Sequence, residues 1–345
     1  MEHVKFMKES KKLGIAIVGA FGVAYAHAKA HRRVPELEIK VVCDLDREVG
    51  EKLARFAECD FESDLDKVLA RDDVHIVDIV TPDETHANIA IKAAKAGKHL
   101  LIEKPVATSL EDFDRIAAEV ERAGVHAMGI QCYRWAPPLR RMVELVKKGT
   151  IGQPVFVRIA SPSSPFHRPD QPIWQKRPKH WLLVRNGCHQ VDMLCWMLDC
   201  FPTKIHAISH PGQDWLPPHE YFSLLMTFEN GTLALSEENR IMQPQGYPFH
   251  QEFYVVGTEG TLDLSDRQHP SASIFNKDGF TPLGHNDFAP EDDHFTGQVR
   301  DFVQLVLGNG PATIPLSFTR KVLATIFDGV NSMYSGKEVI CERKS

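Results

Sequence analysis

Three clusters along the chain have the residue types and spacing that chemistry needs. The first is Gly19-Ala20-Phe21-Gly22-Val23-Ala24, between a short β-branched run and a helix-period segment. A turn of that kind offers backbone N–H groups and a helix N-terminus to a diphosphate. Against G-x-G-x-x-G/A, Gly19 fills the first position and Ala24 the third, while Phe21 stands at the second and Gly22 is displaced by one. The Phe21 ring must therefore point away if phosphates are to approach. Asp44, 20 residues beyond Ala24, ends the next run. From there a carboxylate hydrogen-bonds the ribose hydroxyls of NAD and repels the 2′-phosphate of NADP, which favours NAD, with Arg47 nearby as the counter-argument. A tight strand-to-helix turn and a helix N-cap, a part Asp46 could also play, are the structural alternatives for these features.

The second cluster sits at two further run ends, Thr81-Pro82-Asp83-Glu84-Thr85-His86 and Glu103-Lys104-Pro105. Carboxyl ends of parallel strands are where open α/β sheets bind ligands, so both segments should face one crevice. An ammonium at Lys104 beside a nicotinamide can hydrogen-bond the oxygen that alternates between hydroxyl and carbonyl, and stabilise its developing negative charge. A surface lysine paired with Glu103 is the alternative, and the Lys104–Pro105 bond is open to the cis isomer. The candidate cofactor residues are thus Gly19, Phe21, Gly22, Val23, Asp44, Thr81, Pro82, His86, Glu103 and Lys104, with Gln131 just past the last run.

The third cluster, Asn186-Gly187-Cys188-His189-Gln190-Val191-Asp192, opens a helix-period segment. His189 and Asp192 are three apart and share a face, so the carboxylate can orient the imidazole as a general base requires; a buried structural pair is the other reading. Lys104 and His189 are the catalytic candidates. Asp192, Arg185, Asn186, Tyr133, Arg134 and Trp174 are candidates for holding substrate, and His167, Arg168 and His180 lie in the same proline-rich surroundings. The 17 histidines show no ligand spacing, and no metal is expected.

The elements that must carry these residues follow from periodicity. Leu13–Val18, Glu38–Cys43, His75–Val80, His99–Ile102 and Val125–Ile130 are short apolar runs separated by stretches long enough for helical crossovers, which predicts five or six parallel strands. Thr108-Ser-Leu-Glu111 fits a capping box for a helix that stops at Gly124. From about 150 the pattern changes to alternating runs at 154–160, 221–228, 232–238, 252–256 and 261–264, punctuated by Glu229-Asn-Gly231 and Gly257-Thr-Glu-Gly260, which predicts an antiparallel sheet. Helices are expected near 187–199, 291–308 and 316–335, and a long loop over Ser161–Lys179. The expected organisation is a polar tail at 1–12, a doubly wound dinucleotide-binding domain at 13–131 and an α+β domain at 132–345.

Composition narrows the function classes. With 40 basic and 46 acidic residues in 345, the net charge of −6 argues against nucleic acid, which needs clustered cations. No run of 18 apolar residues exists, and the opening segment is charged where a signal peptide is apolar, so the expectation is a cytoplasmic protein without membrane association. Seven cysteines without C-x-x-C spacing read as reduced thiols.

Taken in order, the clusters resemble the Gfo/Idh/MocA oxidoreductase family over nearly the whole chain. The resemblance rests on the glycine turn, Thr81-Pro82 with His86, Gly97-Lys98-His99 leading to Glu103-Lys104-Pro105, Arg134-Trp-Ala-Pro137, Gly187-x-His189-x-x-Asp192, Val256-Gly257-Thr258-Glu259-Gly260 and Ser335-Gly336-Lys-Glu-Val339. It implies a Rossmann domain followed by an α+β domain with a large, mostly antiparallel open sheet. It further implies that Lys104 and His189 act in proton transfer while hydride passes between a sugar-like or polyol C–H and NAD. The second domain would form the pocket and, through its open sheet, a homodimer or homotetramer. One departure stands out: four residues before His189, where the family usually has Asp, this chain has Arg185, suited to grip an anionic group. Two other functions fit the same residues, an NAD-retaining glycosidase using transient C3 oxidation and a non-catalytic NAD- or sugar-binding regulator.

Overall fold

The five apolar runs become strands of one parallel sheet, joined by helices on its faces. In the computed structural model, which describes residues 12–164, 181–210, 212, 219–242, 251–265, 271–283 and 294–341, the chain divides into two units, Met1–Cys132 with Asp292–Leu316 and Tyr133–Glu291 with Ser317–Ser345. The first opens β1 (Leu13–Val18), α1 (Ala24–Arg32), β2 (Leu37–Cys43), α2 (Arg47–Ala57), β3 (Asp60–Glu62) and α3 (Leu65–Leu69). It continues with β4 (Ile76–Ile79), α4 (His86–Lys95), β5 (His99–Ile102), α5 (Leu110–Ala123) and β6 (Ala127–Gly129). The strand order is β3-β2-β1-β4-β5-β6, every pair parallel. That order reverses direction between β1 and β4, the place where doubly wound sheets bind dinucleotides. Strands β1 and β4 are apolar and buried along nearly their whole length, as a sheet covered on both faces requires.

Local signals set the helix ends. Asp46 caps α2 by accepting from the Glu48 and Val49 N–H groups, and α5 ends at Gly124 in the left-handed region. The cap of α5 falls one residue later than the capping-box reading: Ser109, not Thr108, accepts the Asp112 N–H. Strand β3 escaped the sequence reading because its three residues, Asp-Phe-Glu, are mostly polar and sit at the sheet's edge.

The second unit contains α6 (Pro137–Lys147), β7 (Pro154–Pro162), α7 (Trp181–Arg185), α8 (Gly187–Leu198), β8 (Pro202–His210), β9 (Tyr221–Phe228) and β10 (Leu233–Asn239). It goes on through β11 (Glu252–Gly257), β12 (Gly260–Ser265), β13 (Ser271–Asn276) and β14 (Gly279–Leu283). Then α9 (His294–Val306) returns to the first unit, while α10 (Leu316–Ser335) and β15 (Val339–Ile340) complete the second. The sheet order is β14-β13-β12-β11-β7-β10-β9-β8-β15, antiparallel except for β10 beside β7. One face is covered by α8, buried almost all round, and by α10, whose Ser332 accepts the Ala207 N–H at 2.9 Å. Met193, Leu194, Phe222, Leu224, Met226 and Ile326 lie in the resulting core.

The sequence reading placed everything after residue 132 in one block, whereas Asp292–Leu316 belongs with the Rossmann sheet. Helix α9 packs on α1, Gln304 donates to Glu36, and the Gln298 side chain accepts the Gln131 N–H at 2.7 Å. Among the described residues no helix is long and apolar enough to cross a membrane, and no disulfide joins the seven cysteines.

Candidate active site

The first unit gathers its candidate residues at the carboxyl ends of β1, β2, β4 and β5. Gly19 leaves β1 at φ +99°, and a Cβ there would sit 2.6 Å from the Val80 carbonyl oxygen, so only glycine lets the turn pass against the end of β4. Gly22 follows at φ +59° with nothing within 4 Å of a would-be Cβ. Val23 occupies the N-cap of α1 without side-chain capping, and Phe21 is 56% exposed. The ring thus meets the requirement that it point outward. Asp44 ties the second strand to this turn: one oxygen accepts the Ala20 N–H at 2.7 Å and the other the Asp46 N–H at 2.8 Å. The helix-cap role falls to Asp46. An uncapped helix start behind an unobstructed glycine, with a carboxylate at the end of β2, fits a dinucleotide: the turn would take the diphosphate and Asp44 the ribose hydroxyls.

At the end of β4, the Thr85 hydroxyl donates to the Thr81 hydroxyl at 2.6 Å and lies 2.7 Å from the Pro82 carbonyl. His86 was expected to face the cofactor. Instead its fully buried ring spans the Pro105 carbonyl (Nδ1, 2.9 Å) and the Thr81 carbonyl (Nε2, 2.8 Å), joining the β4 and β5 ends from behind. Glu103 is likewise turned inward. Its Oε2 accepts the Lys104 N–H at 3.0 Å and its Oε1 pairs with His27 Nε2 at 3.1 Å, and the Lys104–Pro105 peptide is cis. Both side chains are committed to protein partners at the corner that carries Lys104. Gln131, 5% exposed, is anchored through its backbone to α9.

In the second unit, α8 carries His189 and Asp192 in its first two turns. His189 stacks on Tyr133, ring centroids 4.4 Å apart and planes 15° from parallel. Asp192 does not serve His189 as the sequence reading expected. Arg134 takes both carboxylate oxygens, Nε at 2.7 Å and Nη2 at 2.8 Å, with both side chains almost wholly buried. A guanidinium fork matches a carboxylate in a way that a single imidazole N–H cannot, which explains the choice of partner. The Arg134 guanidinium also lies over Phe318 at 4.5 Å and Trp196 at 5.3 Å. Burial raises the Asp192 pKa even though Arg134 pulls it down.

Arg185 ends α7, half-buried, its carbonyl accepting from the Cys188 thiol, and Asn186 donates to Glu238 at 3.3 Å. Trp174, His167, Arg168, His180 and most of the proline-rich stretch lie outside the described residues. Sequence reasoning missed the buried polar groups around the start of α8. Gln190 donates to Ser161, to the Glu237 carbonyl and to Glu238, which also pairs with Arg240; Arg240 in turn donates to Ser163 at 2.6 Å. Beside them burial pushes the Glu220 carboxyl up to about 8. Their signal was faint, since Ser-Glu-Glu-Asn-Arg at the end of β10 reads as a strand running out into solvent.

Fold and turn together define a dinucleotide-binding Rossmann unit joined in one chain to an α+β unit. Two family models match the chain: the oxidoreductase family with NAD-binding Rossmann fold over residues 13–130, and the GFO/IDH/MocA C-terminal domain over 139–263. Together they span well over half of the sequence, and the chain belongs to the Gfo/Idh/MocA family of NAD-binding oxidoreductases. Among its relatives, a 2,7-anhydro-N-acetylneuraminate hydratase from Mediterraneibacter gnavus is 28% identical over 263 residues, covering 74% of this chain and 67% of that one. The scyllo-inositol 2-dehydrogenase (NAD(+)) of Bacillus subtilis is 25% identical over 317 residues, 87% and 90% of the two chains. An oxidoreductase from Agrobacterium radiobacter, solved with NAD+, L-tartaric acid and magnesium, has the same fold with a TM-score of 0.87 at 19% identity, covering 96% and 98%.

Proposed function

We propose that the protein transfers hydride between NAD and a secondary alcohol or carbonyl of a sugar, polyol or sugar acid, with Lys104 and His189 handling the proton. Bound NAD supplies the hydride acceptor at the nicotinamide. In the oxidation direction the C–H bond gives up its electron pair as hydride, and the hydroxyl proton leaves to an enzyme base. Lys104 hydrogen-bonds that oxygen and stabilises negative charge on it; His189, beside the Arg134–Asp192 pair, takes or returns the proton. The observation that carries the reading is the Lys104 corner at the carboxyl end of β5, anchored by the Glu103 bond at 3.0 Å. The inositol dehydrogenase relative supports a polyol, and Arg185 supports an acid group on the substrate.

The test is a panel of inositols, sugars and sugar acids offered with NAD, followed by reduced-nicotinamide absorbance. Oxidation of at least one member that is lost in Lys104→Met is the expected result; full activity in that variant sinks the assignment. A second reading is favoured by the hydratase relative. In that reading a retained NAD would supply a transient oxidation at C3, reversed within the same turnover, so that a bond would be cleaved by elimination and addition with no net reduced cofactor. NAD retained through purification, with substrate consumed but no absorbance change, selects it. For assembly, the uncovered face of the second sheet presents Ile208, Leu225 and Leu233, respectively 54%, 49% and 44% exposed, on adjoining strands. That face is the proposed contact of a homodimer or homotetramer.

A further inference from the structure

Four titratable side chains buried behind Lys104 take no part in the reaction just described. His27 and His31 lie one turn apart on α1, Asp78 sits in the otherwise apolar β4, and Glu103 follows β5. Asp78 Oδ2 receives His27 Nδ1 at 2.9 Å and His31 Nε2 at 2.6 Å, while the other nitrogen of His27 meets Glu103 at 3.1 Å. Phe295 of α9 packs against the His27 ring with centroids 5.1 Å apart. Burial alone disfavours a charged His27, but the two carboxylates outweigh it and push its pKa up to about 10. Each ring nitrogen faces one acid, the arrangement in which a charged imidazole donates to both. Asp78 and Glu103 are held below the usual carboxylate range, against their own burial, by the histidines they face.

The ligand atoms of His27, His31 and Asp78 lie within 4.8 Å of one another. The two separations to Asp78, 2.9 and 2.6 Å, are nonetheless those of donors and acceptors, shorter than the roughly 3.3 Å between neighbouring ligands around a tetrahedral ion with bonds of about 2.0–2.1 Å. Stability alone is a weak reason for such a network, since well-packed apolar residues often serve as well as a buried ion pair. What distinguishes this one is where it ends. The bonds run from the centre of the sheet through His27 to Glu103, whose remaining oxygen takes the Lys104 N–H.

We propose that His27 is a positioning residue for Lys104: by bridging Asp78 and Glu103 it holds the Glu103 carboxylate where it clamps the Lys104 backbone, and so fixes the base from which the ammonium acts. This rests on the reading of Lys104 as a proton-handling group. The variants His27→Leu, His27→Gln and Glu103→Gln test it in the full chain, by hydrogen exchange at the Lys104 amide and by turnover of scyllo-inositol or whichever panel member the wild type oxidises.

In His27→Leu, exchange at Lys104 accelerates by about tenfold or more while β1 and β4 stay protected, which separates a local release from unfolding. Turnover falls by roughly 10–100-fold with KM and NAD affinity within about threefold, and His27→Gln, whose amide can still donate to Glu103, recovers part of it. In a Lys104→Met background, His27→Leu causes no further loss, because residues acting through one group are not additive. Unchanged Lys104 exchange in all three variants, or equal losses with and without Lys104, overturns the proposal. If His27→Leu does not fold, the two glutamine variants decide. Undiminished turnover in Lys104→Met alone overturns the functional reading instead, while the exchange measurement still rules on the clamp.

Discussion

Replacing Arg134 by Met isolates one buried electrostatic commitment of the second unit. In the native chain two guanidinium–carboxylate bonds of 2.7 and 2.8 Å join side chains that are 4% and 2% exposed, with Phe318 and Trp196 against the guanidinium. Methionine fills much of the stem's volume but leaves Asp192 with no compensating charge. Removing one partner of such a pair costs about 3–5 kcal/mol, because the survivor remains as an isolated buried charge. The pH dependence has a definite sign. Burial already raises the Asp192 pKa and the substitution raises it further. The folded variant therefore holds a proton that the unfolded chain has released, and its deficit grows as pH rises above the unfolded value of about 3.9. It shrinks again as pH falls toward that value.

All five tryptophans, at positions 135, 174, 181, 196 and 215, belong to the second unit. Urea unfolding followed by tryptophan fluorescence consequently reports that unit alone. The expected midpoint shift in a thermal version is about 2–4 °C per kcal/mol for a unit of this size. Converting both partners, Arg134→Met with Asp192→Leu, removes the stranded charge and restores a good part of the loss. Stability within about 1 kcal/mol of the wild type for Arg134→Met at pH 7, or a double variant worse than the single, would refute the reasoning.

Three further outcomes follow from the same geometry. Asp44→Ala removes the charged acceptor proposed for the ribose; NAD affinity measured by calorimetry should fall roughly 10–100-fold, with NADP affected less, and equal losses for both cofactors would show that Asp44 only holds the turn. The raised His27 pKa contributes stability that is complete below about 6.5 and fades as pH climbs through about 10. Calorimetric unfolding of the first unit should show that alkaline decline, and His27→Leu should flatten it; an unchanged slope contradicts the charged ring. A charge placed on the uncovered sheet, Leu225→Glu, should shift the mass seen by light scattering to the 38.9 kDa monomer, whereas an intact oligomer would move the contact elsewhere.

Much of the fold was legible because burial on both faces writes itself into composition. The runs at 13–18 and 99–102 match β1 and β5 to the residue, and the alternation at 221–228 matches β9. The elements that escaped were those whose partners, not their own residues, make them strands. Strand β8, Pro-Thr-Lys-Ile-His-Ala-Ile-Ser-His, alternates weakly and is held by β9 on one side and β15 on the other. Helix α9 was anticipated as a helix, but nothing local says that it returns to the first unit. That fact lies in contacts such as Gln298 on the Gln131 amide, 167 positions apart in the chain.

For the site, the same contrast separates residues that present a group from residues that aim one. Lys104, His189 and the glycine turn are visible in sequence because their types and spacing are restricted by chemistry. Their supports are not, because a support is chosen for what it faces. Asp78 looks like an interruption of an apolar strand until His27 and His31 arrive from α1, and Asp192 looks like a partner for His189 until Arg134 arrives from a turn 58 positions away. In both units a buried acid is paired with a cation from another segment, next to the residue expected to move a proton. An acid aimed at the imidazole itself would trade protons with it; an acid whose oxygens are already taken by a guanidinium or a histidine from another segment does not, which leaves the proposed working group to exchange its proton with substrate.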